Sequence, residues 1–152
     1  MSAWKPPSVT VAAVIEQAGK FLVVEEDYDG RRVLNQPAGH LDPGESLVSA
    51  CAREVMEETA YRFEPTALIG IYRWYYAPRD ITFLRFGFAG ELRGFEAGRA
   101  LDKEIVATHW MSRDELVARG AELRTPLVLQ CLDDYLAGRR YSLDLLIDHA
   151  EP

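Results

Sequence analysis

The sequence predicts an α/β fold in which a mixed β-sheet is covered by helices on both faces. Three observations predict it: β-branched-rich runs of strand length outnumber helical stretches, the helical stretches are interleaved with the strands, and the composition can fill a core. The chain has 152 residues, 48% of them hydrophobic, near the usual size of one domain. Residues 1–152 are therefore expected to form a single domain.

Residues 9–16 and 20–25 are β-branched-rich runs joined by Gln17-Ala18-Gly19, which reads as a hairpin. Asp29-Gly30 marks a second turn, and residues 31–34 then lead through Asn35-Gln36-Pro37-Ala38 into a Gly loop. Behind Pro43 and Gly44, Ser46 is a good N-cap for a helix running to about Thr59, before the helix-poor residues 61–65. Residues 67–76 and 81–92 are two further strands, with residues 77–80 turning between them. Residues 105–111 make another strand, and 112–119 a short helix capped by Ser112 with Glu115 at the capping-box position. Residues 126–136, opened by Pro126, give a last amphipathic helix, and residues 141–152 are a weakly patterned tail.

The chemistry concentrates in residues 39–61, GHLDPGESLVSACAREVMEETAY. At helical spacing Val48, Ala52, Val55 and Thr59, flanked by Cys51 and Met56, make an apolar stripe, and Glu54, Glu57 and Glu58 stand opposite it at i, i+3 and i+4. Like charges one turn apart repel by a few tenths of a kcal/mol per pair, roughly, so the patch needs compensation. Arg53 and Arg62 offset part of it. Hard divalent cations offset the rest, since Mg2+ takes a few carboxylates together with waters and phosphate oxygens. A solvated acidic helix face is the plainer alternative, but it leaves the Gly loop and the Arg in register without a role.

This segment resembles the signature of the Nudix hydrolases, G-x5-E-x7-R-E-U-x-E-E-x-G-U with U aliphatic. Gly39, Glu45, Arg53, Glu54, Val55, Glu57 and Glu58 match it, whereas Ala60 and Tyr61 depart from its last two specified positions. The missing Gly would cap the helix in the left-handed conformation, so Ala60 either costs on the order of 1 kcal/mol there or shifts the helix end. The resemblance implies an α/β/α sandwich and a divalent metal, Mg2+ or Mn2+, held by Glu57, Glu58 and the carbonyl of Ala38. It further implies that Glu54 serves as metal ligand, general base or both, that Arg53 orients it, and that Gly39 and Glu45 support the loop. Relatives add an acidic residue from a later loop. Glu104 is the first candidate here and Asp102 the second, an ordinary surface Glu before a strand being the alternative for Glu104.

The charge balance fits that chemistry. A net charge of -7 and a pI near 5.0 repel a diphosphate, so metal must reverse the local sign and activate a water. The same balance argues against a nucleic-acid polymer as partner, which wants a basic stripe. The N-terminal residues carry no signal-peptide h-region and no apolar run approaches a membrane span, so a cytoplasmic protein is expected, as a monomer or small homo-oligomer. Cys51 and Cys131 lie on apolar helix faces without C-x-x-C spacing and read as core residues.

Segments 21–26, 35–41, 83–92 and 123–128 extend the resemblance over most of the chain, toward the NudJ-like phosphatases of the family. That implies release of inorganic phosphate from nucleoside di- and triphosphates, thiamine diphosphate and hydroxymethylpyrimidine diphosphate. Two other readings compete: a pyrophosphatase cutting an internal diphosphate, as in ADP-ribose or a nucleotide sugar, and a binding module of the same fold without turnover. Intact Glu54, Glu57 and Glu58 weigh against the last.

For the organic half of a substrate, Trp74 in the aromatic run 72–76 offers a stacking face, or else it is core. Arg85 shares a strand face with Phe83 and Gly87, where it can reach phosphate oxygens or pair with an acid. His40, beside Gly39, can donate to phosphate or simply face solvent.

Overall fold

The computed structural model describes residues 3–149. Eight strands and three helices follow in the order β1 (Ser8–Val14), β2 (Glu16–Gln17), β3 (Lys20–Tyr28), β4 (Arg31–Asn35), β5 (Ala38–His40), α1 (Leu47–Thr59), β6 (Tyr61–Tyr76), β7 (Ile81–Phe95), β8 (Ile105–Met111), α2 (Arg113–Ala118) and α3 (Leu127–Leu136). They build a mixed sheet in the order β5-β1-β7-β6, in which β1 runs parallel to β7 and antiparallel to β5. A second, antiparallel sheet joins β2 and β4 to β3, with β8 on β3 as well. The mixed sheet carries α1 on one face and α3 on the other, as an α/β/α sandwich requires.

Alternation along the strands divides the core between those faces. Val11, Ala13, Leu68 and Phe88 pack with Cys51 and Val55 of α1, while Val14, Ile69 and Ala89 pack with Leu116, Cys131 and Leu132 of α2 and α3. Both cysteines are buried free thiols, matching their reading as core residues.

Three local expectations change. The hairpin expected from residues 9–16 and 20–25 shrinks to the pairing of Glu16 and Gln17 with Phe21 and Lys20, because β1 is held on both edges by β5 and β7. Strand β6 begins directly after the helix instead of at residue 67. Pro65 is tolerated because β6 is an edge strand and its register shifts there. Facing it, Gly90 lies so close that an added Cβ would stand 2.1 Å from the Glu64 carbonyl oxygen.

The third change concerns which side of α1 is inside. Its buried positions are Ala50, Cys51, Glu54, Val55, Glu58 and Thr59, so two of the three carboxylates share the buried stripe instead of opposing it. Ser46 caps the helix, its hydroxyl accepting from the Ser49 N–H at 3.1 Å. At the other end Ala60 takes the left-handed conformation, φ 64°, and its N–H donates to Met56 at 2.9 Å. The helix thus ends without a shift and carries the strain of a Cβ.

Ala60→Gly relieves about 1 kcal/mol of that strain but gives up about 0.8 kcal/mol of methyl burial, so the unfolding midpoint is expected to stay within about 2 °C. Ala50→Gly, in the helix interior, loses about 1 kcal/mol of helix propensity as well as the methyl burial and is expected to lower it by about 4–8 °C. Thermal denaturation of the two variants side by side checks the assignment.

Candidate active site

The site forms where α1 meets the edge strand β5 and the turn before β8. Gly39 pairs with Val11, whose side chain faces α1. A Cβ built on Gly39 would stand 2.1 Å from the Glu54 carboxyl carbon, so only glycine lets that carboxylate lie against the strand. One turn further along, Glu58 Oε1 accepts from the Ala38 N–H at 2.8 Å. Helix and strand are thereby joined through two buried carboxylates.

Arg53 gathers the remaining groups. It donates to both oxygens of Glu45, at 2.9 and 2.7 Å, and its Nη1 donates to Glu54 at 2.9 Å and Glu57 at 3.0 Å. Nη2 also donates to the His40 carbonyl at 2.9 Å and lies 3.3 Å from Asp42. Arg62 takes no part in this compensation, since it is exposed and lies 3.9 Å from Glu96. Paired with Arg53, the Glu45 carboxylate is held below its ordinary range.

Burial acts oppositely on the helix carboxylates. It raises Glu54 to about 7, against the lowering effect of Arg53, and Glu58 to about 9, against the Ala38 hydrogen bond. Neighbouring acids reinforce both shifts, Glu57 and Asp102 on Glu54, and Glu26, Glu54 and Asp102 on Glu58. Carboxylates in such surroundings ionise with a cation beside them.

The carboxylates supply a place for one. Carboxylate oxygens of Glu54, Glu57 and Asp102 lie within 4.8 Å of one another, an all-oxygen donor set suited to Mg2+ or Mn2+. Asp102 is brought in by its turn, where its N–H donates to the Glu57 carbonyl at 3.0 Å. Glu104, the first candidate from sequence, is exposed and stands outside that group, its carbonyl accepting from the Asp27 N–H at 2.9 Å.

The other sequence candidates lie on the opposite face of the mixed sheet. Thr10 is in register with both His40 and Arg85, and Arg85 with Tyr72, so these residues form a row across four strands. Arg85 is only 4% exposed; its charge acts on the buried Glu26, but its guanidinium donates to the neutral Asn35 and Gln36, each at 3.0 Å. Gln36 in turn donates to the Val128 carbonyl at 2.7 Å. Trp74, half-buried, stacks on Phe83 with ring centroids 5.5 Å apart and an interplanar angle of 21°. His40 is exposed and its Nδ1 lies 3.1 Å from Ser8 Oγ.

Sequence reasoning passed over Glu26 and Arg124. Glu26, 3% exposed, accepts from Arg124 at 2.7 Å, and burial raises its pKa despite that cation. The Val-Val-Glu-Glu run 23–26 carried the signal, because a charge at a buried strand position demands a partner.

A profile of the NUDIX domain matches residues 4–131. The chain belongs to the Nudix hydrolase family. Curated phosphatases NudJ of Escherichia coli (strain K12) and of Shigella boydii serotype 4 are each 42% identical to it over 146 residues, covering 96% of this chain and 94% of theirs. A Nudix hydrolase structure from Nitrosomonas europaea superposes with a TM-score of 0.93 at 54% identity, covering 95% of this chain and 98% of that one. This Nudix protein is therefore a hydrolase with NudJ-like phosphatases among its relatives. No helix among its described residues is long and apolar enough to cross a membrane.

Two outcomes follow from the Nudix site geometry. Gly39→Ala drives Glu54 out of its seat and is expected to lower kcat by about 100-fold, measured at saturating substrate. The pKa values of Glu54 and Glu58, raised from 4.5 to about 7 and about 9, make the metal-free folded chain bind protons that the unfolded chain has released. Their contribution to stability is full below 4.5 and is lost as pH rises through about 7 and then about 9. In chelator, the unfolding midpoint is expected to fall across that window, and Glu58→Gln to flatten its upper part. A midpoint that rises there, or a variant with the parental slope, contradicts the burial of these groups.

Proposed function

We propose that this protein is a metal-dependent phosphatase of terminal diphosphates and triphosphates, releasing inorganic phosphate. Its substrates are small molecules: nucleoside di- and triphosphates, thiamine diphosphate and hydroxymethylpyrimidine diphosphate. The observation that carries the reading is the convergence of Glu54, Glu57 and Asp102 oxygens within 4.8 Å. Terminal rather than internal cleavage rests on the 42% identity to NudJ phosphatases over nearly the whole of both chains. The length of that match also favours one catalytic domain spanning the chain.

Glu54, Glu57 and Asp102 would hold Mg2+ or Mn2+, and Glu58 and the Ala38 carbonyl are the further candidates that the family signature adds. When bound, such cations neutralise phosphate charge and acidify water. The chain's own residues supply the rest. Glu54, oriented by Arg53, takes a proton from water as the water oxygen bonds to the terminal phosphorus and the bridging P–O bond breaks. Arg53 keeps Glu54 and Glu57 in one orientation and Glu45 secures Arg53 in turn, so little reorganisation is left for the reaction itself.

Trp74, Arg85 and His40 are the candidates for contacts to the rest of the substrate, a ring face and two cationic or donor groups that share the sheet face opposite α1. A cytoplasmic setting suits both this chemistry and the two free thiols.

With Mg2+, thiamine diphosphate and nucleoside diphosphates are expected to yield inorganic phosphate and the shortened ester, identified by mass. Two organic monophosphates from ADP-ribose, with no free phosphate from the other compounds, would replace this reading by internal cleavage. Glu57→Gln is expected to lower kcat by about 100- to 1,000-fold with the fold intact by circular dichroism. Full activity of that variant would remove Glu57 from the metal site.

A further inference from the structure

We infer that Gln36 is a positioning residue for the carboxylate site: from the opposite face of the mixed sheet it holds the backbone of Ala38 and Gly39 at the setting that fits Glu58 and Glu54. The inference rests on the metal-dependent hydrolysis proposed above. It concerns a neutral side chain that has no part in the acidic cluster itself.

Gln36 is only 5% exposed, and its amide is used in both directions. Its Oε1 accepts from Arg85 Nη1 at 3.0 Å, and its Nε2 donates to the Val128 carbonyl, in the first turn of α3, at 2.7 Å. Arg85 Nη2 donates to the neighbouring Asn35 at 3.0 Å. Both anchors belong to the packed interior, since Arg85 and Val128 are buried and β7 is flanked by β1 and β6. An ionised carboxylate at position 36 would meet the charge of Arg85 but would have no donor for Val128, whereas an amide serves both.

The residues after Gln36 transmit that anchoring. Pro37 has a fixed φ and biases the residue before it toward extended backbone, so little rotation is free between Gln36 and Ala38. The Pro37 carbonyl accepts from the Ala13 N–H at 3.0 Å, and Ala38 and Gly39 then pair with Ala12 and Val11 of β1. At Ala38 the N–H donates to Glu58 at 2.8 Å. At Gly39 the strand lies so close to Glu54 that an added Cβ would stand 2.1 Å from the carboxyl carbon. The Ala38 carbonyl, a further candidate ligand, is carried by the same two residues. Strand β5 has only three residues and is paired on one side only, so its ladder alone is a weak hold. The Gln36 bonds to Arg85 and Val128 supply the rest, tying the segment to β7 and α3 on one face while Glu54 and Glu58 meet it on the other.

Gln36→Met removes both amide bonds while keeping the length of the side chain. In the metal-free protein, hydrogen exchange of the Ala38 amide, followed by NMR, is expected to rise about tenfold relative to that of Val11. Mn2+ binding, measured by calorimetry, is expected to weaken about tenfold, and KM for a nucleoside diphosphate at saturating Mn2+ to stay within about twofold. Leu116→Ala, a core truncation in α2, is the control for lost stability alone: it is expected to lower the unfolding midpoint and to leave the Ala38-to-Val11 ratio and the Mn2+ affinity at parental values. If Gln36→Met does not fold, Gln36→Glu, which keeps the Arg85 bond and gives up the donor to Val128, carries the same test with a rise of about threefold. Parental exchange and Mn2+ affinity in the Gln36 variant, or equal losses in Leu116→Ala, would overturn the positioning role. A rise in KM alone would overturn it too, by making position 36 a substrate contact. If the parental protein releases no phosphate from any diphosphate, the functional reading fails instead, and Ala38 exchange in the metal-free protein still decides for or against the role of Gln36.

Discussion

The guanidinium of Arg53 is the constraint on which the site depends. A helix presenting Glu54, Glu57 and Glu58 within little more than one turn, with Glu45 and Asp102 brought alongside, is self-repelling in the absence of a cation. Arg53 meets this with a planar fork of donors, binding Glu45 through two of them and dividing Nη1 between Glu54 and Glu57. Because its Nη2 also reaches the His40 carbonyl, the same group fixes the loop against the helix. A lysine could neutralise the charge but could not fix those directions at once.

Gly39 completes this arrangement by what it lacks. The space of a missing Cβ is filled by the Glu54 carboxyl group, and the resulting burial makes that carboxylate costly to ionise without a cation beside it. The energetic strain is thus placed on the two carboxylates that touch β5. A cation bound there would couple to folding, since it would stabilise the charged forms that burial disfavours.

Much of this was legible because it is local. The helix, its Ser46 cap, the Arg53–Glu58 spacing and the left-handed exit at Ala60 all lie within one stretch governed by a single periodicity. What was not legible depends on contacts between distant segments. Polarity placed Glu54 and Glu58 away from the apolar stripe, yet the position of β5 over the helix buries them beside it. Asp102 and Glu104 are two residues apart in a turn, and the Asp102 N–H bond to the end of α1 brings the former beside Glu54 and Glu57. The strand face of Arg85 was readable from alternation, but its neutral partners Asn35 and Gln36 come from another sheet. Pairing was hidden for the same reason at β1, whose sequence fits a hairpin as well as the centre of a sheet.

Strand β5 is only three residues long, and consecutive residues on it point to opposite faces. Gly39 belongs to the carboxylate side, whereas His40 looks toward Ser8 and the aromatic side. The scaffold thereby partitions its evolutionary freedom. Replacements among Trp74 and Phe83 alter one face of the sheet without reaching the helix that carries the carboxylates. Side chains can vary on one side of a thin partition while the carboxylate cluster on the other is inherited unchanged.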